Sequence, residues 1–228
     1  MLNSIGKNEY WEKVFSNHSW GSYPPEELVR FIARNFKNVS NKRETRILEI
    51  GCGPGPNIWY LVREGFLVAG IDGSSTAISQ AKDRLVSEKL PHTKPIVDLQ
   101  VGNFSSLPWD DEYFDAVIDV AALYANLMID IRKTVIEIFR TLKPGGLFFG
   151  KMFGTNTTGS ITGKIIEPGT YLKPKIGPCA GNHIAHFFSR LEILELFSCF
   201  SEIVIDHTIR SDQNGKVEIY EWLVVARK

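Results

Sequence analysis

The nine residues Ile47-Leu48-Glu49-Ile50-Gly51-Cys52-Gly53-Pro54-Gly55 constrain this chain more than any other stretch. An apolar run stops at a glycine-dense turn, and a helix is expected directly beyond it, from Asn57 to Arg63. A buried strand, a tight turn and a helix N-terminus together make a place where backbone N–H groups approach a ligand closely. The spacing is G-x-G-x-G. Pro56 stands where a dinucleotide fingerprint has its last glycine or alanine, which turns the reading away from a dinucleotide. The next apolar run, Leu67 to Ile71, ends at Asp72. In doubly wound folds a carboxylate at the tip of the second strand accepts hydrogen bonds from ribose hydroxyls. The two features together ask for a nucleoside-like ligand.

From Arg46 onward, strand and helix patterns alternate. Strands are expected near Arg46–Ile50, Leu67–Ile71, Ile96–Val101, Phe114–Val120 and Leu147–Met152, with helices over Asn57–Arg63, Ser75–Lys89 and Asp130–Leu142 between them. Such alternation predicts a parallel sheet with helices on both faces. Ahead of it, a short helix is expected over Glu9 to His18, then a turn from His18 to Tyr23. A second helix opens at Pro24-Pro25 with Leu28, Phe31, Ile32 and Phe36 on its core face. Near the end, Ser189-Arg190-Leu191-Glu192 has capping-box spacing and predicts a helix through Phe200. Ile203–Arg210 and Val217–Ala226 flank Asn214-Gly215, which predicts an antiparallel hairpin.

Composition narrows the setting. The chain has 228 residues and is 43% hydrophobic, enough for one α/β domain with elaborations. Lys+Arg and Asp+Glu are equal at 26 each, so nucleic acid is not an expected partner. Cys52, Cys179 and Cys199 are widely separated, which suits a reducing compartment. No run approaches the roughly 18 apolar residues of a membrane span, and the N-terminus has no leader-like apolar core. A cytoplasmic protein with no membrane partner, a monomer or homodimer, is expected.

These motifs in this order resemble the class I S-adenosylmethionine (SAM)-dependent methyltransferases, from Arg46 to the C-terminus. Glu49-x-Gly51-x-Gly53-x-Gly55 resembles the family's first motif and Asp72 its acidic second motif. Gly102-Asn103-Phe104, Leu107-Pro108-Trp109 and Phe114-Asp115-Ala116-Val117-Ile118 resemble the third and fourth, and Leu142-Lys143-Pro144-Gly145-Gly146 the turn before the fifth strand. The resemblance implies an α/β fold: a doubly wound, seven-stranded, mainly parallel sheet with an antiparallel C-terminal hairpin and helices on both faces; the aromatics ahead of it predict an N-terminal helical lid. Residues 1–45 would form the helical segment and 46–228 the SAM-binding domain, with an insertion at about 153–188.

The resemblance also implies site roles. Gly51, Gly53 and Gly55 would let the backbone approach the methionine part of SAM, with Cys52 as the small residue between them. Glu49 would reach the ammonium. Asp72 would bind the ribose, with Gly73 and Ser74 beside the adenosine. Asn103 and Phe104 would border the adenine, although the family often has Asp at the first position. Residues Val120 to Tyr124 would line the sulfonium side; apart from the resemblance, the aromatics Tyr10, Trp11, Trp20 and Tyr23 predict a lid over the cofactor that walls off an acceptor pocket.

Tyr124, His183 and His186 are the catalytic candidates, as a base or an acceptor contact. Lys151, Glu167 and Tyr171 are further chemical groups on the acceptor side. Lys164, Lys173 and Lys175 hint at an acceptor bearing carboxylate or phosphate. His183-Ile184-Ala185-His186 alone is too little for a metal, and Asp119 lacks a partner carboxylate pair, so no metal is expected.

The expected activity is methyl transfer to O or N of a small molecule. After the fourth strand the chain reads Asp119-Val120-Ala121-Ala122, without the Pro-Pro-aromatic motif of amino-methylating enzymes that act on nucleic acid or protein. Methylation of protein or RNA, an NAD-dependent oxidoreductase and a non-catalytic SAM-binding regulator stay open on the residues alone.

Overall fold

The computed structural model describes residues 4–18 and 20–228, with side chains from residue 8 onward; position 19, in the expected turn over 18–23, lies outside the described residues. Strand β1 (Arg46–Ile50) is central. It pairs in parallel with β2 (Leu67–Asp72) on one side and β4 (Phe114–Val120) on the other. With β3 (Val97–Val101), β5 (Leu142–Phe153), β9 (Glu202–Asp212) and β10 (Val217–Arg227), the sheet order is β3-β2-β1-β4-β5-β10-β9. Only β10 is reversed: it runs antiparallel to both β5 and β9. The seven-stranded, mainly parallel sheet with an antiparallel C-terminal hairpin is therefore present.

Side chains alternate across the sheet, so Ile47 and Leu48 enter different cores. Ile47 packs with Leu28, Phe31, Ile58 and Leu61, which belong to α2 (Glu26–Phe36) and α3 (Pro56–Glu64), and with Ile78 and Leu85 of α4 (Ser75–Ser87). Leu48 packs with Ile131, Val135 and Ile138 of α5 (Met128–Thr141) and with Ile193 and Leu196 of α6 (Arg190–Leu196). The spacing of Leu28, Phe31, Ile32 and Phe36 predicted the buried face of α2, and all four are buried. The capping box is formed: Glu192 N–H donates to Ser189 Oγ at 3.2 Å.

Several boundaries differ from the pattern. The last helix ends at Leu196, short of Phe200, and β5 begins at Leu142, five residues early. Leu142 pairs with Phe114 and Leu147 with Ala116, so the Lys-Pro-Gly-Gly segment is an irregularity within the pairing, made possible by Gly145 at φ +76°. The insertion folds on itself as a second sheet, β6 (Lys164–Glu167), β7 (Thr170–Leu172) and β8 (Ile184–His186), antiparallel throughout. Strands this short carry too little alternation to be read from sequence.

The strand order reverses between β1 and β4, and open α/β sheets bind ligands in the crevice outside the carboxyl ends of strands at such a point. Helix α1 (Ser4–Asn17) lies over that crevice. Glu12 accepts from Ser74 Oγ at 2.6 Å and from the Thr76 hydroxyl, while Tyr10 OH donates to Asn182 Oδ1 of the insertion at 3.2 Å. α1 is thus fastened to α4 at one point and to the insertion at another.

Candidate cofactor and acceptor cavity

A cavity of about 470 Å³ opens at the switch point, and its walls come from both ends of the chain. Glu49, Gly51, Cys52, Gly53, Asp72, Gly73, Phe104, Val120, Tyr124 and Trp11, all expected at the site, line it. The turn is shaped by backbone that side chains rarely adopt: Gly51 and Gly53 have φ +61° and +51°. A Cβ on Gly51 would stand 2.2 Å from Ala122 Cβ, so the residue type is fixed by space as well as by φ. Asp72 ties the turn to β2 by accepting from Gly53 N–H and Ser74 N–H, each at 2.9 Å.

The chemistry of this end is acceptor-rich and anionic. Asn57 Nδ2 donates to Glu49 Oε1 at 2.6 Å, leaving Glu49 Oε2 and Asn57 Oδ1 buried with no hydrogen-bond partner. Burial, together with the neighbouring Asp119 and Asp72 carboxylates, raises the Glu49 carboxyl well above its ordinary range despite the Asn57 bond. Two orphaned acceptors beside clustered carboxylates call for a cationic donor. The ammonium of SAM is one, and the residues fit that cofactor. Cys52 is buried, and burial pushes its thiol up, so it is a small wall residue and no nucleophile.

Other expected residues stand elsewhere. Gly55, at φ +79°, caps α3 and meets Ala81 behind the turn. Ser74 is fully buried as the N-cap of α4, accepting from Ala77 N–H. Asn103 uses its side-chain oxygen on Ser105 N–H at 3.0 Å. None of these three is among the lining residues.

His186 requires correction. It is fully buried outside the cavity, Nδ1 standing 2.6 Å from Thr170 Oγ1 and Nε2 3.0 Å from Glu192 Oε2. Nδ1 is engaged within the insertion and Nε2 joins the insertion to α6, and the residue does not line the cavity. His183 also lies off the lining, stacked on Tyr10 at 6.1 Å between ring centres. Lys164, Lys173 and Lys175 are exposed and absent from the cavity walls. Glu167 is occupied with Met128 N–H and Thr170 Oγ1.

Tyr124 does reach the cavity. Asn182 Nδ2 donates to its hydroxyl oxygen at 2.9 Å, which leaves the phenol's own proton to be donated. Burial, then the nearby Cys179 and Tyr10, raise its pKa well above the ordinary phenol value, which makes it a hydrogen-bond donor and not a base. Asp119 Oδ1 accepts from Ala122 and Leu123 N–H groups and so shapes the chain after β4. Burial pushes its carboxyl up to about 7.

The sequence reading missed part of the wall. Asn8, Asn126, Arg210 and Glu221 line the cavity, and Lys151 does so from β5 and not from the insertion proper. Glu27 of α2 joins Lys151 at 3.1 Å. The available signal was a single charge inside an apolar strand: Lys151 in Leu-Phe-Phe-Gly-Lys-Met-Phe, and Glu221 in Ile-Tyr-Glu-Trp-Leu-Val-Val. Among the described residues, no group of His, Cys, Asp and Glu is placed to hold a metal ion.

Comparison with known proteins agrees with this geometry. Residues 48–150 match a family model described as a methyltransferase domain. A crystal structure of a SAM-dependent methyltransferase from Methanosarcina mazei is 30% identical, covering 82% of this chain and 93% of that one with a TM-score of 0.68. A phthiotriol/phenolphthiotriol dimycocerosates methyltransferase of Mycobacterium tuberculosis is 29% identical over 65% of this chain and 55% of its own length. A fatty-acid O-methyltransferase of Mycolicibacterium smegmatis is 28% identical over 59% of this chain and 51% of its own length. The chain spans about half the length of these two curated relatives. Glycine turn, Asp72, sheet order and these matches converge: the chain belongs to the SAM-dependent methyltransferases, and its cofactor is SAM.

Proposed function

We propose that this protein transfers a methyl group from SAM to an O or N atom of a small-molecule acceptor by in-line displacement. One observation carries the reading. The same cavity that takes in the glycine turn and Asp72 is also lined by Tyr23, Pro25, Tyr124, Lys151, Phe153 and Glu221. About 470 Å³ falls in the range of pockets that enclose small organic molecules. Asn8, Trp11 and Phe15 of α1, with Trp20 and Tyr23 beyond it, also line the cavity. They act as a lid and support a small acceptor over a macromolecule. So do the equal numbers of acidic and basic residues and the lipid acceptors named in the two mycobacterial relatives.

When bound, the cofactor supplies an electrophilic methyl group on a sulfonium. The chain's contribution is placement: Glu49 and Asp72 fix the cofactor end, while Tyr124 and Phe153, in edge contact at 4.9 Å, shape the passage to the acceptor end. Orienting two reactants in this way contributes on the order of 7–11 kcal/mol in favourable systems. Tyr124 would donate a hydrogen bond to the acceptor and orient its lone pair. An amine acceptor of low pKa needs no base.

Calorimetric titration with SAM and S-adenosylhomocysteine, followed by transfer of a labelled methyl group to candidate acceptors, tests the proposal. Micromolar binding, weakened about tenfold or more by Asp72→Ala, is expected. Binding of NAD(H) with neither sulfur ligand would overturn the reading. Tight SAM binding with no turnover on any acceptor would favour a SAM-binding regulator.

A further inference from the structure

The acceptor end of the cavity holds a charged group that packing alone does not need. Lys151 Nζ stands 3.1 Å from Glu27 Oε2 and 3.1 Å from Glu221 Oε2, and Arg210 Nε lies 3.9 Å from that second oxygen. The residues come from α2, β5, β10 and β9, and Lys151, Glu221 and Arg210 all line the cavity. Lys151 is 8% exposed and Glu221 4%. Burying an ion pair costs several kcal/mol per ion, and apolar residues of similar volume often serve a fold as well or better.

The geometry shows what the group lacks. Lys151 uses one of its three donors in a directed hydrogen bond, to Glu27. Glu221 Oε2 sits in ion-pair range of both cations but accepts no directed hydrogen bond. The buried members, Lys151 and Glu221, cancel each other, while the exposed Arg210 is also paired with Asp212 at 3.4 Å, so a ligand that brings net charge to the buried pair meets an uncompensated desolvation cost. A spare ammonium N–H beside an under-bonded carboxylate is satisfied through one atom only if that atom both accepts and donates. A hydroxyl does both, whereas a carboxylate only accepts and an alkylammonium only donates.

We infer that the Lys151–Glu221 pair is the specificity-determining contact for the acceptor and selects an uncharged hydroxyl on a molecule with an apolar body. The inference rests on the methyl-transfer reading and narrows it to alcohol-bearing acceptors. It also removes the lysine-based hint of an anionic acceptor, since those lysines stand outside the cavity. Tyr23, Pro25, Val120 and Phe153 supply the apolar surroundings.

The test is calorimetry on protein saturated with S-adenosylhomocysteine, titrated with octanol, octanoate and octylamine near neutral pH. Octanol should bind tightest, with each charged analogue weaker by about tenfold. Glu221→Gln and Lys151→Met should each weaken octanol by about fivefold or more, with S-adenosylhomocysteine titrated into each variant as the folding control. Octanoate or octylamine binding as tightly as octanol would overturn the inference, and so would unchanged octanol affinity in Glu221→Gln. Absence of octanol binding in a wild type that binds S-adenosylhomocysteine would overturn it too, while leaving methyl transfer standing. A wild type that fails to bind S-adenosylhomocysteine removes both.

Discussion

The two ends of the cavity are built on opposite plans. The cofactor end is contiguous: β1, the glycine turn and the start of α3 supply Glu49, Gly51, Gly53 and Asn57, with Asp72 one strand away. What it offers a ligand is backbone and orphaned oxygens. The proposed acceptor end is scattered, drawing Tyr124, Lys151, Arg210 and Glu221 from across the chain, with Glu27 behind Lys151, and its charges are already engaged in ion pairs. A ligand that every member of a fold shares is met by a local motif, whereas a ligand particular to one member is met by side chains that the fold happens to bring together. The difference is one of how far apart in sequence the contacts are.

The largest expected effect on ligand binding falls at the contiguous end. Gly51→Ala places a methyl group 2.2 Å from Ala122 Cβ on backbone at φ +61°. S-adenosylhomocysteine affinity should drop about 100-fold, equivalent to ~2.8 kcal/mol. Wild-type affinity in this variant would break the contrast, because the turn would then not be the cradle.

His186→Ala probes the boundary of the acceptor end. Losing the Thr170 and Glu192 contacts at a fully buried position should cost about 2–4 kcal/mol in chemical denaturation, with S-adenosylhomocysteine affinity kept within about twofold. A variant that stays as stable as wild type yet loses turnover would restore the histidine to the chemistry.

Asp119 gives a pH signature. Its carboxyl is raised by burial from 3.8 to about 7, offset in part by the Ala122 and Leu123 N–H groups. The fold therefore favours the protonated acid. Its stabilising contribution is full below the unfolded value, near pH 4, and is lost as pH rises through about 7. Thermal unfolding of wild type minus Asp119→Asn should show that declining component, and a difference that is flat with pH would reject it.

The smallest effect belongs to the covering helix. Glu12→Ala frees Ser74 and Thr76 from α1, and stopped-flow release of S-adenosylhomocysteine should quicken by about fivefold, or ~1 kcal/mol. Unchanged release would mean that α1 does not hold the ligand in.

Legibility followed sequence distance here. Arg46–Ile50, the glycine turn and Asp72 were readable because strand, turn and carboxylate obey local rules, and the structure keeps them together. Asn103 and Ser74 carried the right motif positions, but their side chains serve the backbone next to them, a competition that residue type alone does not reveal. His186 looked chemical because histidine titrates near neutrality; burial against Thr170 and Glu192 decided otherwise. Lys151 and Glu221 interrupt apolar strands, so the anomaly was visible while its meaning was not.

By itself, then, the sequence determined the layer architecture and a nucleoside-like ligand for the glycine turn, because hydrophobic period and glycine spacing act within a few residues of one another; the family resemblance supplied SAM. Tertiary structure alone decided which charges meet at the acceptor end. β10 enters the sheet beside β5, bringing Glu221 opposite Phe153 and within reach of Lys151. That neighbour relation depends on the order of strands in the sheet, a long-range pairing that no local pattern in either strand encodes.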